Sequence, residues 1–223
     1  RDAQESRGLG DVYKRQTMNT TIYTDNNNQS AIQFAMLKPA LLLFIILSMI
    51  LGVLYPLGMT AVSQLMMPMQ ANGSLYKDSQ SKTIGSRLIG QNFDDPKYLW
   101  GRPSAAKYDA KASTGSNLGP LNPELAKNVQ AAVSKLKSSD PTNTAPIPLD
   151  LVTTSASGLD PHISPAAAEW QVGRIAKQRG ISVDTVKKAI RDNTQAPLFG
   201  VLGEPVVNVL AVNVALDKLA KSQ

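Results

Sequence analysis

The sequence predicts a single N-terminal transmembrane helix followed by a soluble domain of mixed α/β (α+β) class. No charged residue occurs between Pro39 and Tyr76, and this window contains the apolar run Leu41–Val62. About 150 residues follow Gly73, a length that suits one domain. Within them, short β-branched runs alternate irregularly with helical patterns, which is typical of a mixed domain.

The amino-acid composition excludes several kinds of covalent link, nucleophile and metal site. The chain has 223 residues, a net charge of +6 and no cysteine. Disulfides, thiolate nucleophiles and cysteine-ligated zinc are therefore excluded. The only histidine is His162, so a metal site would depend on scattered carboxylates, and none is predicted. The positive charge fits a membrane surface, an acidic partner or nucleic acid, and it does not choose among them.

Residues 1–35 are predicted to lie outside the folded protein. The chain opens with RDAQESRGLGDVYKRQ, which has no apolar face, and its first methionine is Met18. We interpret residues 1 to about 17 as non-native, with a genuine disordered tail as the alternative. Thr24–Ser30 is polar and is also expected to be unstructured.

Residues 36–70 are predicted to form the transmembrane helix. About 20 apolar residues are enough to cross the hydrocarbon core. A signal peptide is the competing interpretation, but its apolar core is shorter, whereas here the apolar run continues past Pro56 to Met69. Pro56 and Gly58 are expected to kink the helix. Gly52 is small enough to let a neighbouring helix approach closely.

The soluble domain, residues 71–223, is expected to begin with strands and loops and then enter a helix. Asn122 is a cap residue, Pro123 suits the first helical position, and apolar residues recur at helical spacing as far as Lys137. The predicted elements in this half are a strand at Thr83–Phe93, a loop at Asp94–Pro123, the helix, a loop at Ser138–Pro148 and an extended segment at Leu149–Ala156.

The second half is expected to be mainly helical. Ser164 and Pro165 repeat the cap-then-proline signal, and the helix they begin is predicted to run to Gly180. A further helix follows Ser182, with Val183, Val186 and Ile190 on one face. A strand at Pro205–Leu210 and a terminal helix at Ala211–Ala220 complete the prediction.

The segment SASGLDPHISPAAAEWQ contains the letters of a catalytic triad. Ser157, Asp160 and His162 lie close in sequence, but no GxSxG turn is present, and sequence neighbours rarely converge as a triad. The favoured interpretation is structural, and no catalytic residue is predicted. Asp160 is held extended by the following proline, and Gly158 is expected to need a positive φ. The structural signature residues are Gly158, Asp160, Pro161, Ser164 and Pro165.

Two further binding chemistries remain open from the residues alone. Val172–Asn193 has the spacing of a DNA-binding helix-turn-helix, in which Lys187, Lys188 and Arg191 would contact phosphates. Two packed helices joined by a glycine turn are a commoner explanation. Lys111–Pro120 is a glycine-rich polar loop whose N–H groups are able to cradle an anion. It lacks the GxxxxGK[ST] pattern of a P-loop, and a plain turn is favoured.

Several long motifs, in order, carry a resemblance that covers nearly all of Leu37–Leu219. They are GVLYPLGMT, QANGSL, GSRLIGQNF, GRPSA, GSNLGPLNPEL, LVTTSASGLDPHISPAAAEWQ and VVNVLAVNVALDKL. Together they resemble the C-subunit family of the Kdp-type potassium-transporting ATPase. A membrane-anchored helix-turn-helix regulator is the alternative function.

The resemblance implies a subunit of a bacterial inner-membrane complex, with its soluble domain in the periplasm. Its implied partners are a channel-like potassium-binding subunit, a P-type ATPase subunit, a small single-span subunit and the lipid bilayer, but not nucleic acid. Potassium is transported by the complex and is not expected to bind this chain. The family is described as a catalytic chaperone that aids assembly and raises the ATP affinity of the hydrolysing subunit. ATP is therefore a candidate ligand, and the candidate nucleotide-binding residues are Ser113, Gly115, Ser116, Asn117 and Gln171.

Overall fold

The computed structural model describes residues 26–77 and 81–220. The chain divides into two compact units, the first ending at Met66 and the second beginning at Met67. The first contains the long apolar helix, and the second contains helices and short strands. The predicted fold class is confirmed.

The first unit is a helical segment with an irregular centre. Helix α1, Asn26–Met49, leads into a π-helical turn, Ile50–Leu54, and then into helix α2, Tyr55–Met66. Ala35–Met66, 32 residues long, is long and apolar enough to cross a membrane. Its large apolar side chains are exposed, as expected of a surface that faces lipid or another helix.

Pro56 explains the π-helical turn. Proline has no N–H to donate, and its ring clashes with the carbonyl four residues earlier, which here belongs to Gly52. Tyr55 donates its N–H to the carbonyl of Ile50, five residues back. This widened turn accommodates the ring, so the predicted irregularity near Pro56 takes the form of a π-bulge.

Helix α1 starts earlier than the sequence predicts. It begins at Asn26, inside the polar segment Thr24–Ser30 that was expected to be unstructured, and before the predicted boundary at residue 36. Once the apolar segment has formed a helix, each added residue gains a hydrogen bond without a new nucleation cost, so the helix extends into the polar region. The segment interpreted as non-native lies outside the described residues.

The second unit opens with a short helix α3, Pro68–Ala71, and an antiparallel pair, β1 at Leu75–Lys77 and β2 at Thr83–Ser86. The predicted strand Thr83–Phe93 is therefore shorter than expected. It ends because the Ser86 hydroxyl donates to the carbonyl of Gly73 at 2.7 Å and accepts from the Leu88 N–H at 3.1 Å, which turns the chain.

Helix α4, Pro123–Ser139, follows a long irregular segment, as predicted. The Asn122 side chain accepts from the N–H of Glu124 at 3.0 Å, which confirms the predicted cap. The segment expected to be extended after Pro148 begins instead with a 3-10 turn, Leu149–Leu151. Two residues after that turn, the Thr153 hydroxyl donates to the carbonyl of Leu149 at 2.9 Å, which holds the chain in its tight conformation.

The remaining elements build the core around a small sheet. They are β3 at His162–Ile163, α5 at Pro165–Trp170, α6 at Val172–Arg179, α7 at Val183–Asp192, β4 at Thr194–Gln195, β5 at Val206–Asn208 and α8 at Val209–Ala220. The sheet is antiparallel in the order β3-β5-β4. At most 2% of the surface of six central apolar residues is exposed: Ile163, Ala167, Ile175, Val186, Val207 and Val212.

Two predicted boundaries differ from those in the structure. The helix expected from Ser164 to Gly180 breaks at Gln171 into α5 and α6, although Gly180 does end it in the left-handed conformation, with φ of 66°. The strand expected to reach Leu210 ends at Asn208, and α8 starts at the next residue. The Asn208 side chain accepts from the N–H of Ala211 at 2.9 Å, which is the bond an N-cap makes.

Candidate functional site

The signature segment is fixed at Gly158. Its φ is 66°, as predicted. The Gly158 N–H donates to the Ser155 hydroxyl at 2.9 Å, and its carbonyl accepts from the Ser104 hydroxyl at 2.5 Å. A β-carbon at this position would lie 2.6 Å from the carbonyl oxygen of Thr114. Only glycine fits both the conformation and the space.

The glycine-rich loop lies directly on this segment. The Ser113 hydroxyl donates to the carbonyl of Ser157 at 3.1 Å, and the Thr154 hydroxyl donates to the Ser116 hydroxyl at 3.1 Å. A β-carbon on Gly115 would lie 2.9 Å from the carbonyl of Ala156. The structure thus brings residues 113–117 and 154–158 together, and we call this pair of segments the polar layer.

Arg102 connects the polar layer to Asp160. Its Nη2 donates to the carbonyl of Thr154 at 3.2 Å, and its Nη1 lies 3.6 Å from Asp160 Oδ2. Asp160 Oδ1 also accepts from the N–H of His162 at 3.0 Å, an Asx-turn that sets the chain direction before β3. Asp160 therefore shapes the backbone here, as its place before Pro161 predicts.

His162 lies in strand β3, paired with Asn208, and not on the loop where the sequence placed it. Its Nε2 is 3.4 Å from Asn208 Nδ2, and its Nδ1 is 3.8 Å from Asp160 Oδ1. The Ser157 hydroxyl accepts instead from the N–H of Leu159 at 3.1 Å. Burial lowers the pKa of His162 despite the opposing attraction of Asp160. The three residues do not form a nucleophile–base–acid chain.

Gln171, the fifth candidate nucleotide-binding residue, lies in the core. It is fully buried. Its Oε1 accepts from the N–H of Trp100 at 2.9 Å and from Arg174 Nη2 at 2.6 Å. Its Nε2 donates to the carbonyls of Trp100 at 3.1 Å and Ala167 at 3.2 Å. The oxygen and the nitrogen of its amide group therefore both have hydrogen-bond partners within the protein. The contacts of Gln171 are separate from those of the polar layer.

The Asn213 side chain makes the same pair of hydrogen bonds with the backbone of Leu99, the residue before Trp100. Its Oδ1 accepts from the N–H of Leu99 at 2.8 Å, and its Nδ2 donates to the carbonyl of Leu99 at 2.9 Å. Two side-chain amides, from Gln171 and Asn213, thus satisfy the backbone of consecutive residues, as strand partners would in a sheet. We call Gln171, Asn213 and Arg174 the amide clamp.

Arg174 completes the clamp and was missed by sequence reasoning. It is 2% exposed. It donates to the carbonyls of Pro96 and Tyr98, and its guanidinium carbon lies 4.2 Å from the centre of the Trp100 ring. Burial lowers the pKa of Arg174 to about 10, so it stays charged at neutral pH. The one available signal was an arginine among the apolar residues of VGRIA.

A cavity of about 380 Å³ lies beside the amide clamp. Three of its lining residues are cationic, Arg102, Lys107 and Lys135, and Trp100 contributes apolar surface. Lys135 also pairs with Asp94 at 2.6 Å. Burial is the main cause that raises the pKa of Tyr108, another lining residue, to about 12, so its hydroxyl stays protonated and donates to the carbonyl of Arg102.

Two of the three predicted helix-turn-helix cations form ion pairs within the domain. Lys187 pairs with Glu169 at 2.6 Å, and Lys188 pairs with Asp192 at 2.6 Å. Helix α7 buries Val186, Ala189 and Ile190 in the same core as the sheet. The pair α6–α7 is thus part of the domain core, and the DNA-binding alternative is not supported.

The described part of the chain contains no group of three or more histidine, aspartate and glutamate side chains that could hold a metal ion.

Comparison with known proteins places these features in a family. Residues 37–218 match the family model described as "KdpC: K+-transporting ATPase, c chain". A potassium-transporting ATPase KdpC subunit from Variovorax paradoxus is 53% identical over 190 residues, covering 84% of this chain and 98% of the relative. One from Ralstonia nicotianae is 52% identical, covering 84% and 93%. One from Herpetosiphon aurantiacus is 54% identical over 185 residues, covering 82% and 95%.

Proposed function

The chain belongs to the family of K+-transporting ATPase C chains, and we propose that it is the non-catalytic accessory subunit of such a complex. In this role it assists assembly and raises the ATP affinity of the subunit that hydrolyses ATP. The observation that carries the proposal is the match over residues 37–218, which includes both the apolar span and the folded domain.

The geometry of the signature segment supports a non-catalytic role. Ser157 and His162 face different partners, and Gly158 and Asp160 make bonds that fix the backbone. A hydrolase would need the nucleophile within hydrogen-bond reach of its base. Gly158 and Asp160 instead hold the backbone of the segment in one conformation, which suits a structural role.

The proposed setting is the bacterial inner membrane, with the domain in the periplasm. The proposed partners are a channel-like potassium-binding subunit, a P-type ATPase subunit and a small single-span subunit. Support comes from the apolar, exposed span Ala35–Met66. A β-carbon built on Gly52 or Gly58 meets no atom within 4 Å, so a neighbouring helix has room to approach there.

The effect on ATP affinity follows one of two routes. A periplasmic domain would act on a cytoplasmic nucleotide through the other subunits, by favouring the conformation that binds ATP. In direct contact, Ser113, Gly115, Ser116 and Asn117 of the polar layer would supply the ligand groups. Gln171 fits direct contact poorly because both its amide atoms already bond within the core.

The test measures the KM for ATP of the purified complex with and without this chain. Loss of the chain should raise the KM, and an unchanged KM would refute the role in ATP affinity. Equilibrium binding of ATP to the full chain alone separates the two routes, because only direct contact gives binding without the other subunits.

Assembly is tested by copurification with a tagged ATPase subunit. The full chain should copurify, and a variant lacking residues 36–70 should do so more weakly, because it loses the span. The full chain should also stay in the pellet after carbonate washing. Release into the supernatant would contradict integration into the membrane.

A further inference from the structure

The cavity beside the amide clamp has aromatic walls. Its volume is about 380 Å³, and Phe93, Trp100 and Tyr108 are among its lining residues. Sites for small molecules usually have a volume of this order. They are lined mainly by apolar and aromatic side chains, and a few polar groups fix the orientation of the ligand. The cavity therefore has the size and the walls of a small-molecule site.

The charges at the cavity leave one cation without a counter-ion. Arg102, Lys107 and Lys135 line the cavity, and its described lining includes no aspartate or glutamate. Two of these cations have acidic partners behind the lining: Arg102 Nη1 lies 3.6 Å from Asp160 Oδ2, and Lys135 Nζ lies 2.6 Å from Asp94 Oδ1. Lys107 is exposed and forms no ion pair within the described residues. A ligand with a single negative charge would complement this arrangement.

A loop in an unfavourable backbone conformation holds Lys107 at the cavity. Lys107 and Tyr108 both have positive φ, 52° and 59°, which is uncommon for residues other than glycine. The Ser104 carbonyl accepts from the N–H of Lys107 at 3.3 Å, and the Ser104 hydroxyl accepts from the N–H of Tyr108 at 2.9 Å. The Tyr108 hydroxyl donates to the carbonyl of Arg102. Such conformations persist only where surrounding bonds enforce them, and they cluster at binding sites.

We propose that the cavity binds a small aromatic monocarboxylate, with its carboxylate paired to the Lys107 ammonium and its ring against the aromatic walls. A carboxylate accepts charge-assisted hydrogen bonds from an ammonium group, and an aromatic ring gains from contact with other aromatic surface. A polyanion such as a nucleoside triphosphate fits less well, because Arg102 and Lys135 already have acidic partners. The inference goes beyond the proposed function, because it concerns a ligand of this chain alone.

The first experiment titrates 2-naphthoate into the full chain in detergent and follows it by fluorine NMR. Fluorotryptophan replaces both tryptophans of the chain, Trp100 at this cavity and Trp170 at a different one. The Trp100 resonance should shift and reach saturation, whereas the Trp170 resonance should stay in place. Equal shifts of both resonances, or no shift of either, would overturn the proposal.

The second experiment tests recognition of the negative charge. The uncharged analogue 2-naphthamide should bind the parent chain more weakly than 2-naphthoate. Lys107→Gln should weaken 2-naphthoate about three- to fivefold and leave 2-naphthamide unchanged. Lys177→Gln is the matched control, because Lys177 is exposed on helix α6 and does not line the cavity. Equal affinity of the parent chain for both probes would contradict an anion site.

The third experiment tests the location by filling the cavity. Ala132 lines it from helix α4, so Ala132→Phe should abolish the shift of the Trp100 resonance. Ala131→Phe is the control, because Ala131 is the exposed neighbour on the same helix and lies outside the lining. Binding that survives in a folded Ala132→Phe variant would place the ligand elsewhere. If that variant does not fold, the comparison of the two probes on the parent chain decides.

Competition with ATP separates this inference from the proposed function. ATP should not displace 2-naphthoate, and displacement would assign the cavity to a nucleotide and overturn the monocarboxylate. If the probe does not bind but the chain lowers the KM of the complex for ATP, the inference fails and the proposed function stands. If the probe binds as expected but the KM is unchanged, the role in ATP affinity fails and the inference stands.

Discussion

Replacing Gln171 with leucine should destabilise the domain severely and should not act by removing a nucleotide contact. The residue is fully buried, and leucine has similar bulk but no polar atoms. The change leaves the N–H and carbonyl of Trp100 without their partner and removes an acceptor from the Arg174 guanidinium. Solvent cannot replace these bonds inside the core.

The expected loss of stability follows from the number of buried polar groups that lose a hydrogen-bond partner. A buried donor or acceptor without a partner costs about 1–3 kcal/mol, and more for a charged group. The Trp100 N–H and the Arg174 guanidinium should dominate, because carbonyls tolerate the loss of a partner better. We expect the free energy of unfolding to fall by about 3–5 kcal/mol, a large share of the ~5–15 kcal/mol typical of a domain. The melting temperature should fall by roughly 10 °C.

The assay is thermal unfolding of the full chain in detergent, followed by near-ultraviolet circular dichroism, with ATP binding measured in parallel at low temperature. Gln178→Leu is the control, because Gln178 is exposed on helix α6, which begins immediately after Gln171. It should melt like the parent chain. A Gln171→Leu variant that melts within about 2 °C of the parent but has lost ATP binding would refute the clamp and restore Gln171 as a ligand.

Other substitutions test the signature segment. Gly158→Val should destabilise by about 2–4 kcal/mol, because its side chain meets the Thr114 carbonyl in a left-handed backbone. Gly119→Val, in open space, should change the melting temperature little, and equal effects would refute the close-packing argument. Ser164→Ala removes a helix cap and should cost about 1 kcal/mol in denaturant unfolding; no loss would mean that the cap is redundant. His162→Asn should preserve growth at limiting potassium, and loss of ATP hydrolysis in an assembled complex would reopen a chemical role. Because burial lowers the pKa of His162, the unfolded chain binds its proton at a higher pH than the folded chain. The free energy of unfolding should therefore fall as the pH drops below about 6.5. His162→Asn should lose less between about pH 7.5 and 5.5, and an equal loss would exclude His162 as the cause.

The sequence alone was sufficient for features governed by neighbouring residues. A long charge-free run predicted the span, because crossing a bilayer depends on length and polarity. The caps at Asn122 and Ser164 were readable because each bonds to an N–H two or three residues later. Ordered motifs over most of the chain were enough to identify the family.

Only the tertiary structure decided where the predicted helix breaks and what Gln171 does. Trp100, the hydrogen-bond partner of Gln171, lies 71 residues away in sequence. Asn213 lies 114 residues from its own partner, Leu99. No periodicity or local motif encodes a contact between such distant segments. A glutamine at a helix end is equally compatible with solvent, a ligand or the core, and its place is fixed by which backbone groups the folded chain leaves without partners.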